Sequence, residues 1–378
     1  MVSIDVEQIC LLELIKAALF NSVPEIPNNA NWEKILETAK SQCIVSLIAS
    51  VVPNEHSSEW TKMSCQSKAK FIKLLYEQTS LINMFKNNDI PLIILKGTAT
   101  SIYFPVPSAR TFGDIDLFVP NDFADSARKL LEENGYVLIH YNERHYGYEK
   151  NGVDFELHTK FSCQSYNNID HIILEGMTNS VEYKIGNSTF PGLPTYENGL
   201  VILGHLMQHI KESGIGLRQV IDWMMFVNKE LDDRSWEERF KPLAIEAGLE
   251  KLAITVTYMC KKWLGLSNEI TWCNDADEEV ADQLFIRVLD DGNLGYYRSP
   301  TEVIKKSIKK EGTFKHLQQF GIMNWPLAQK HPVFRPFAWL FQLGRYAIKG
   351  IAGLLSGEKV FLNAKNSMSL EELWERLK

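Results

Sequence analysis

Apolar residues recur every three or four positions along the first quarter of the chain, which is the spacing that places side chains on one face of a helix. The repeating positions are Ile9, Leu12, Ile15 and Leu19, and further on Phe71, Leu74, Leu75, Ile82 and Phe85. Pro24, Pro27 and the pair Asn28-Asn29 interrupt the pattern and predict a loop. We therefore expect residues 4 to 86 to be helical, with one break after the first helix.

From Ile90 the pattern changes to that of strands. A short apolar run ends at Leu95, residues 114–119 begin with alternating acidic and apolar positions, and residues 152–160 alternate strictly. One helix is predicted over 122–134, because Pro120-Asn121-Asp122 resembles a helix start and Asn134-Gly135 a helix end. After Pro194 the pattern is helical to the end. The chain is thus predicted to be α+β, with helical regions at 1–88 and 193–378 around a core at 89–192.

The first candidate for chemistry is the pair Asp114 and Asp116, which lies on the predicted strand 114–119. Residues two apart on a strand point to the same face, so the two carboxylates project together. Like charges held side by side repel unless a cation or a shared proton compensates them. Mg²⁺ prefers carboxylates together with substrate phosphates, although a solvated strand end would also explain the pair.

Two flanking segments add to this pair. The apolar strand 90–95 ends in Lys96-Gly97-Thr98, a turn that suits a phosphate through its N–H groups, its charge and its hydroxyl. The strand 152–160 carries Asp154, Glu156 and His158 on one face. A third carboxylate brought beside the acidic pair would complete a two-metal site for phosphoryl chemistry, while an amphipathic edge strand is the simpler interpretation of the alternation.

Three sequence blocks resemble the polymerase-β nucleotidyltransferase superfamily. They are Leu95-Lys-Gly97, Arg110-Thr-Phe-Gly-Asp-Ile-Asp-Leu-Phe-Val119 and Val153-Asp-Phe-Glu-Leu-His158. Within the superfamily, the chain is most similar to a family of uncharacterised bacterial nucleotidyltransferases. The resemblance covers residues 90–161, and a weaker similarity follows at 205–223.

The resemblance implies that a small mixed β-sheet holds two Mg²⁺ ions, with Mn²⁺ as the alternative, and that the helical regions close the cleft. It implies that Asp114 and Asp116 bind both ions and that Glu156 is the third carboxylate. Asp154 lies on the same predicted face and remains an alternative third acid. The superfamily's usual Gly-Ser after the first strand is Gly97-Thr98 here.

Substrate binding is assigned to residues around these acids and on one later helix. The assigned residues are Lys96, Gly97, Thr98, Arg110, Gly113, Asp154, His158, His209 and Arg218. Arg110 would neutralise the acids or meet a triphosphate, and its place in the matched blocks favours this role over that of a solvated loop arginine.

The later helix carries two residue pairs at helical spacing. His205 and His209 share one helix face, and either pack structurally or line the cleft. Arg218 either binds an anion with its planar fork or pairs with Asp222 one turn away.

Composition narrows the classes of function. The net charge of −7 argues against a dedicated nucleic-acid binder, and Lys305, Lys306, Lys309 and Lys310 are interpreted as a solvated helix face. Six cysteines without a CxxC spacing indicate reduced thiols in a cytoplasmic protein.

The acidic residues near the N-terminus argue against a signal peptide. No transmembrane segment is expected, and the apolar stretch Phe337–Phe361 is predicted to be a core helix, with a membrane-surface helix as the alternative.

The sequence therefore favours an enzyme that transfers a nucleoside monophosphate from an NTP to an acceptor. The acceptor classes left open are a small molecule, a sugar phosphate, a protein side chain and an RNA end. The alternative is a non-catalytic nucleotide-binding or regulatory protein with the same fold. A phosphodiesterase or nuclease is disfavoured because only His158 is placed as an additional ligand.

Overall fold

A computed structural model of the chain describes residues 4–142, 144–161, 169–212, 214–293, 314, 317–318, 321–322, 325, 327–328, 331–345, 368 and 370–377. The chain divides into two compact units, Met1–Tyr296 with Met368–Lys378, and Tyr297–Ser367. All the strands described below and all the predicted site residues lie in the first unit.

The N-terminal segment is helical, as its apolar spacing predicts. The helices are α1 (Val6–Phe20), α2 (Trp32–Ser41), α3 (Val45–Ile48) and the long α4 (Ser57–Lys86), with short 3₁₀ turns at Ala49–Val51 and Asn54–His56. Helix α1 begins at a capping box, in which the Asp5 carboxylate accepts from the Gln8 N–H at 2.8 Å and the Gln8 side chain accepts from the Asp5 N–H at 3.0 Å. The predicted break after α1 falls between α1 and α2.

The core contains one mixed sheet of five strands, which confirms the predicted fold class. The strands are β1 (Ile93–Leu95), β2 (Asp114–Phe118), β3 (Val137–Tyr141), β4 (His145–Lys150) and β5 (Val153–His158), in the spatial order β1-β2-β5-β4-β3. Only β2 and β5 run parallel, and the other neighbours are antiparallel. A separate hairpin pairs β6 (Val181–Ile185) with β7 (Ser188–Gly192).

The register of the β4-β5 hairpin follows from its two-residue turn. Asn151 and Gly152 both have positive φ, 55° and 68°, which is the combination that a type I′ turn requires. The turn pairs Lys150 with Val153, and the same register then places Gly147 opposite Glu156 and His145 opposite His158. The parallel pairing of β2 with β5 continues this row by placing Asp116 opposite Glu156.

Alternation along the two central strands separates an apolar face from an acidic one. Ile115, Leu117 and Phe155 are buried in a core cluster together with Leu74 and Phe85 of α4. The opposite face carries Asp114, Asp116, Glu156 and His158, and none of these side chains belongs to that core cluster. The strand pattern therefore turns the acids toward the other side of the sheet.

Three helices connect the strands. Helix α5 (Gly97–Ser101) follows β1 directly, and α6 (Ala124–Glu133), preceded by a 3₁₀ turn at Asn121–Phe123, matches the helix predicted over 122–134. Helix α7 (Asp170–Thr178) lies where only strands are predicted. Its run Ile172-Ile173 has a composition that strands favour, and the burial of both side chains in the large helical core overrides that local preference.

The C-terminal part of the first unit is helical. Its elements are α8 (Thr195–Glu212), α9 (Leu217–Glu230), α10 (Asp233–Ser235), a π turn (Trp236–Phe240), α11 (Lys241–Glu246), α12 (Glu250–Leu264), α13 (Glu278–Asp291) and α14 (Leu370–Leu377). The buried amide of Gln42, which follows α2, joins two of these segments. Its Nε2 donates to the Val288 carbonyl at 2.9 Å, and its Oε1 accepts from the Leu217 N–H at 2.7 Å. Gln42 thus satisfies the first N–H of α9 and a carbonyl near the end of α13.

In the second unit, a 3₁₀ segment (Pro332–Phe337) continues into a helix at 338–345. The rings of Trp325 and Phe341 stack there with centroids 5.1 Å apart. The predicted basic helix face at Lys305, Lys306, Lys309 and Lys310 lies outside the described residues, as does the part of the apolar stretch Phe337–Phe361 that follows residue 345. Among the described helices, none combines the length and the apolar character needed to cross a bilayer.

Candidate functional site

The acidic face of the sheet borders a cavity of about 280 Å³. Helices α8 and α9 contribute to its other wall. The lining residues are Lys96, Gly97, Arg110, Phe112, Asp114, Asp116, Arg144, His145, Glu156, His158, Phe161, His205, Gln208, His209 and Arg218. A second, more apolar groove of about 510 Å³ lies between α4 and the β6-β7 turn, and its lining contains none of the predicted site residues.

Three carboxylates enter the cavity from β2 and β5. Asp114 and Asp116 line it together with Glu156, which is the register partner of Asp116. Asp154 pairs with Asp114 across the two strands, but its side chain is exposed and does not line the cavity. The geometry therefore favours Glu156 over Asp154 as the third acid, and it does not bring Asp154 into the predicted substrate site.

Lys96 supplies positive charge at the centre of this cluster. Its Nζ lies 2.6 Å from Oδ1 of Asp116, and both side chains are nearly buried. Burial alone would lower the pKa of Lys96, but the charges of Asp116, Glu156 and Asp114 outweigh it and raise the pKa overall. The Lys96 backbone has φ 44° and ψ −139°, a conformation that costs a residue with a Cβ of order 1–3 kcal/mol. Strain of this kind persists where the surrounding structure fixes the residue. Here the strained backbone conformation directs the Lys96 side chain toward the acids.

His158 joins two of the carboxylates. Its Nε2 lies 2.9 Å from Oδ1 of Asp116 and 3.3 Å from Oε2 of Glu156. Burial and the charge of Lys96 oppose protonation, yet the hydrogen bonds with Asp116 and Glu156 raise the pKa of His158 overall. Burial likewise opposes ionisation of Glu156, but the hydrogen bond with His158 and the charge of Lys96 hold its pKa well below the usual range. Nδ1 of His158 is buried and has no hydrogen-bond partner among the described residues.

Asp114 is the least compensated of the three acids. Burial, followed by repulsion from Asp116, raises the pKa of Asp114 to about 6. Within the described part of the chain, the Asp114 carboxylate makes no hydrogen bond or ion pair, whereas Asp116 contacts both Lys96 and His158. A site that keeps such an acid beside a second one has the charge and the oxygen donors that a divalent cation would satisfy.

Arg110 departs from its predicted role. Its Nε and Nη2 donate to the two carboxylate oxygens of Asp222 at 2.6 and 2.7 Å, and its Nη1 donates to the Gly97 carbonyl at 3.0 Å. Arg110 is therefore not a solvated loop residue, because three of its N–H groups tie helix α9 to the turn after β1. Its guanidinium lines the cavity as part of this buried ion pair.

Asp222 is consequently unavailable to Arg218, so the intrahelical pair considered from the sequence is absent among the described contacts. Arg218 instead donates from Nη1 to the Thr111 carbonyl at 3.1 Å, and its buried Nε has no partner among the described residues. Burial, followed by the charge of Arg110, lowers the pKa of Arg218. A guanidinium that lines a cavity with an unsatisfied N–H is suited to an anionic ligand.

Two other residues assigned to substrate lie elsewhere. The Thr98 hydroxyl donates to Oε1 of Gln78 at 2.7 Å in a buried contact, so it faces α4 and not the cavity. Gly113 is exposed and is not part of the lining. Gly97 does line the cavity, at φ 25°, and a Cβ there would lie 3.2 Å from Cδ2 of Phe112. The turn therefore needs glycine for its conformation and for the close approach of Phe112.

The helical histidines also reach the cavity. Nε2 of His209 lies 2.7 Å from Nε2 of His205, one helical turn apart. Burial, followed by the charge of Lys96, lowers the pKa of His209 to about 3, and burial together with His209 lowers the pKa of His205 well below its usual value. Both imidazoles are therefore neutral near pH 7 and offer hydrogen bonds without charge.

Several lining residues are not predicted from the sequence. Among them are Arg144 and His145 at the start of β4, Phe161, and Gln208, whose Nε2 donates to the Phe161 carbonyl at 2.7 Å. The pair Asn151-Gly152 is the signal that would have located His145. It is a hairpin turn by composition, and counting outward from it places His145 opposite His158.

This site and fold, a mixed sheet that presents three carboxylates and a lysine to one cavity, define a protein of the nucleotidyltransferase class. The match to a family model makes the assignment specific: over residues 25–265 the chain belongs to the family described as uncharacterised nucleotidyltransferase. A comparison with curated proteins finds no match.

Comparison with solved structures matches the antibiotic-resistance factor ANT(2″)-Ia, whose solution structure is described as having substrate-regulated conformation dynamics. That protein is 11% identical, the alignment covers 45% of this chain and 96% of that one, and the TM-score is 0.31. A similarity at this TM-score carries no argument about the present chain.

Proposed function

We propose that this nucleotidyltransferase transfers a nucleoside monophosphate from an NTP to an acceptor in an Mg²⁺-dependent reaction. The observation that carries the proposal is the placement of Asp114, Asp116 and Glu156 on neighbouring parallel strands at one wall of the same cavity. Packing does not require these three acids, because the apolar face of the same strands supplies the core.

The donor set fits the proposed metal. Asp116 and Glu156 with His158 place ligand atoms within 4.8 Å of one another, and Asp114 adds a carboxylate without a recorded partner among the described residues. Asp114, Asp116 and Glu156 would hold the ions, Mg²⁺ or Mn²⁺, because hard cations prefer carboxylate oxygens. Bound there, two divalent ions supply charge stabilisation for both the attacking and the leaving oxygens of an in-line displacement.

The chain's own residues would bind and orient the substrates. Lys96 and Arg218 bring positive charge to the cavity, and the N–H on Nε of Arg218, which has no partner in the part of the chain that the structure describes, can donate to a phosphate oxygen. His158 holds Asp116 and Glu156 in one arrangement by hydrogen bonds to both. The backbone of Gly97, which lines the cavity without a side chain, permits close approach of a phosphate.

The acceptor is proposed only as a class that the cavity wall can accept. The wall formed by α8 and α9 offers neutral imidazoles at His205 and His209 and the amide of Gln208, which suit hydroxyl groups. We propose the division of the chain into regions 1–88, 89–192 and 193–378, in which helices α8 and α9 of the last region contribute this acceptor wall.

The test measures pyrophosphate release from each NTP with Mg²⁺ and a panel of small-molecule, sugar-phosphate and protein acceptors. Asp114→Asn, Asp116→Asn and Glu156→Gln should each lose activity by at least about 100-fold, because each removes a charge from the metal-binding set. Asp154→Asn is the matched control, since it removes an exposed carboxylate from the same strand, and it should retain activity.

Two outcomes would contradict the proposal. The site is wrong if wild-type activity is found and the three cavity variants keep it. Calorimetry that shows NTP binding with no turnover of any acceptor would instead favour a nucleotide-binding role for this fold.

A further inference from the structure

A row of residues crosses four strands beside the candidate site. His140 on β3 pairs with Gly147 on β4, Gly147 pairs with Glu156 on β5, and Glu156 pairs with Asp116 on β2. Side chains in one such row lie on the same face of the sheet. Gly147 has no side chain, so nothing separates His140 from Glu156 along the row.

The imidazole of His140 occupies the space that Gly147 leaves open. A Cβ on Gly147 would lie 2.2 Å from Cε1 and 2.6 Å from both ring nitrogens of His140, so any other residue would displace the ring. Glycine inside a strand weakens it and often marks a close approach of another group. Here the approaching group is the imidazole of His140, which lies across β4 at Gly147.

A second histidine meets the first at this point. Nε2 of His140 lies 3.3 Å from Nε2 of His145, and Nε2 of His145 lies 3.7 Å from Oε1 of Glu156. The three ligand atoms all lie within 4.8 Å of one another. Two imidazole nitrogens bound to tetrahedral Zn²⁺ at about 2.0–2.1 Å are themselves separated by about 3.3 Å. The histidine pair thus already has the spacing of two zinc ligands.

The donors differ from those of the catalytic acids. Two imidazoles and one carboxylate form a set found in zinc sites, whereas Mg²⁺ prefers oxygen ligands alone. Asn142 fixes the backbone at the start of β4, because its Oδ1 accepts from the backbone N–H groups of Arg144 at 2.8 Å and His145 at 3.1 Å. The Nδ2 of Asn142 lies 3.2 Å from Nε2 of His145, a contact that an ion bound to this nitrogen would replace. His140 is exposed and His145 is partly buried, so an ion reaches the cluster from solvent.

We propose that His140, His145 and Glu156 form a binding site for Zn²⁺ or a similar transition-metal ion, and that occupancy of this site inhibits nucleotidyl transfer. Inhibition follows because Glu156 belongs to both sets, so an ion bound to the histidines withdraws it from Asp114 and Asp116. The inhibitory part rests on the proposed function, whereas the binding part stands on the cluster alone.

The binding test titrates the metal-free full-length protein with Co²⁺, whose visible absorption reports tetrahedral nitrogen and oxygen ligands, and counts bound Zn²⁺ by equilibrium dialysis. Exposed Cys65 is replaced by serine in every sample to remove a competing thiol. We expect one tight equivalent, and His140→Gln and His145→Gln should each weaken it at least about tenfold. His171→Gln is the matched control, because His171 lies beside a single carboxylate, that of Glu246, and should not change binding.

A further variant keeps all three ligands. Gly147→Ala places a methyl group where the His140 ring lies, so it should weaken Co²⁺ binding without removing a donor. Thermal denaturation without metal verifies that each variant folds. Unchanged Co²⁺ binding in both histidine variants would overturn the site.

Activity assays then separate the two parts of the proposal. Zn²⁺ should inhibit the wild type in excess Mg²⁺, and His140→Gln should raise the inhibiting concentration about tenfold or more. Zn²⁺ binding without any nucleotidyl transfer would refute the proposed function and leave the metal site intact. Equal Zn²⁺ inhibition of wild type and His140→Gln would refute the inhibitory role.

Discussion

The ion pair between Arg110 and Asp222 gives the sharpest test of how the site is held together. Both side chains are nearly buried, at 5% and 6% exposure, and two charge-assisted hydrogen bonds join them. The third donor of Arg110 holds the Gly97 carbonyl. The pair therefore links helix α9 to the turn that positions Lys96, and its loss should lower the free energy of unfolding.

The magnitude follows from what each substitution leaves behind. Asp222→Leu leaves a buried guanidinium without its carboxylate, and Arg110→Met leaves a buried carboxylate without its guanidinium. Breaking a buried pair from one side costs about 3–5 kcal/mol, whereas replacing both partners with apolar residues is often close to neutral. The double variant should consequently be more stable than either single variant. If the two substitutions instead acted independently, their costs would add and the double variant would be the least stable of the three.

The assay is thermal denaturation followed by tryptophan fluorescence. For a chain of 378 residues the midpoint shifts by about 1.3 °C per kcal/mol, so each single variant should lose about 4–6 °C, and the double variant should recover part of that loss. Arg234→Ala is the matched control, because it breaks the exposed pair of Arg234 with Glu238 and should change the midpoint by about 1 °C or less. An Arg110→Met variant as stable as the wild type would refute the structural role of this pair.

Three other predictions concern single residues. With a chelator present, Asp114→Asn should raise the free energy of unfolding by up to about 3 kcal/mol above pH 6 and by little below pH 4, because folding raises the pKa of Asp114 from 3.8 to about 6 and so disfavours its ionised form. Urea titrations across this pH range measure the gain, and a gain that does not depend on pH would contradict the argument. Thr98→Val should lower the free energy of unfolding by about 1–2 kcal/mol through the lost hydrogen bond to Gln78, while kcat/KM stays unchanged. A loss of activity without destabilisation would indicate that Thr98 does bind substrate. Gly152→Ala should lower the free energy of unfolding by about 1 kcal/mol in the same urea assay, because the φ of Gly152 is 68°. Gly113→Ala is the control: φ is not positive there, so this substitution should cost less if backbone conformation is the cause.

The sequence predicts those parts of the site that lie along single strands. Alternation on residues 114–119 and 152–160 places the acids on one face, and this local periodicity survives into the structure because each strand has one apolar face to bury. The choice between Asp154 and Glu156 is not local. Both lie on the same face of β5, and only the position of the cavity along the strand distinguishes them.

The partners of charged side chains are the part that the sequence does not predict. Arg110 and Asp222 are separated by 112 positions, and nothing in either neighbourhood indicates the other. The nearer candidate, Arg218 one turn before Asp222, satisfies the helical spacing and is nevertheless not the partner. Tertiary packing decides such contacts, because a buried carboxylate pairs with the cation that packing brings to it and not with the one nearest in sequence.

The buried amide of Gln42 has a consequence for the order in which the molecule folds. It bonds to residues 175 and 246 positions away, so helix α9 acquires its N-terminal hydrogen bond only after two distant segments have docked. Contacts of such long range form late, because the chain must close large loops before they contribute. The wall that carries Arg218 is therefore expected to order after the sheet that carries the acids. A nascent or partly unfolded chain would then hold its carboxylates in place before the wall of the cavity that α9 contributes has formed.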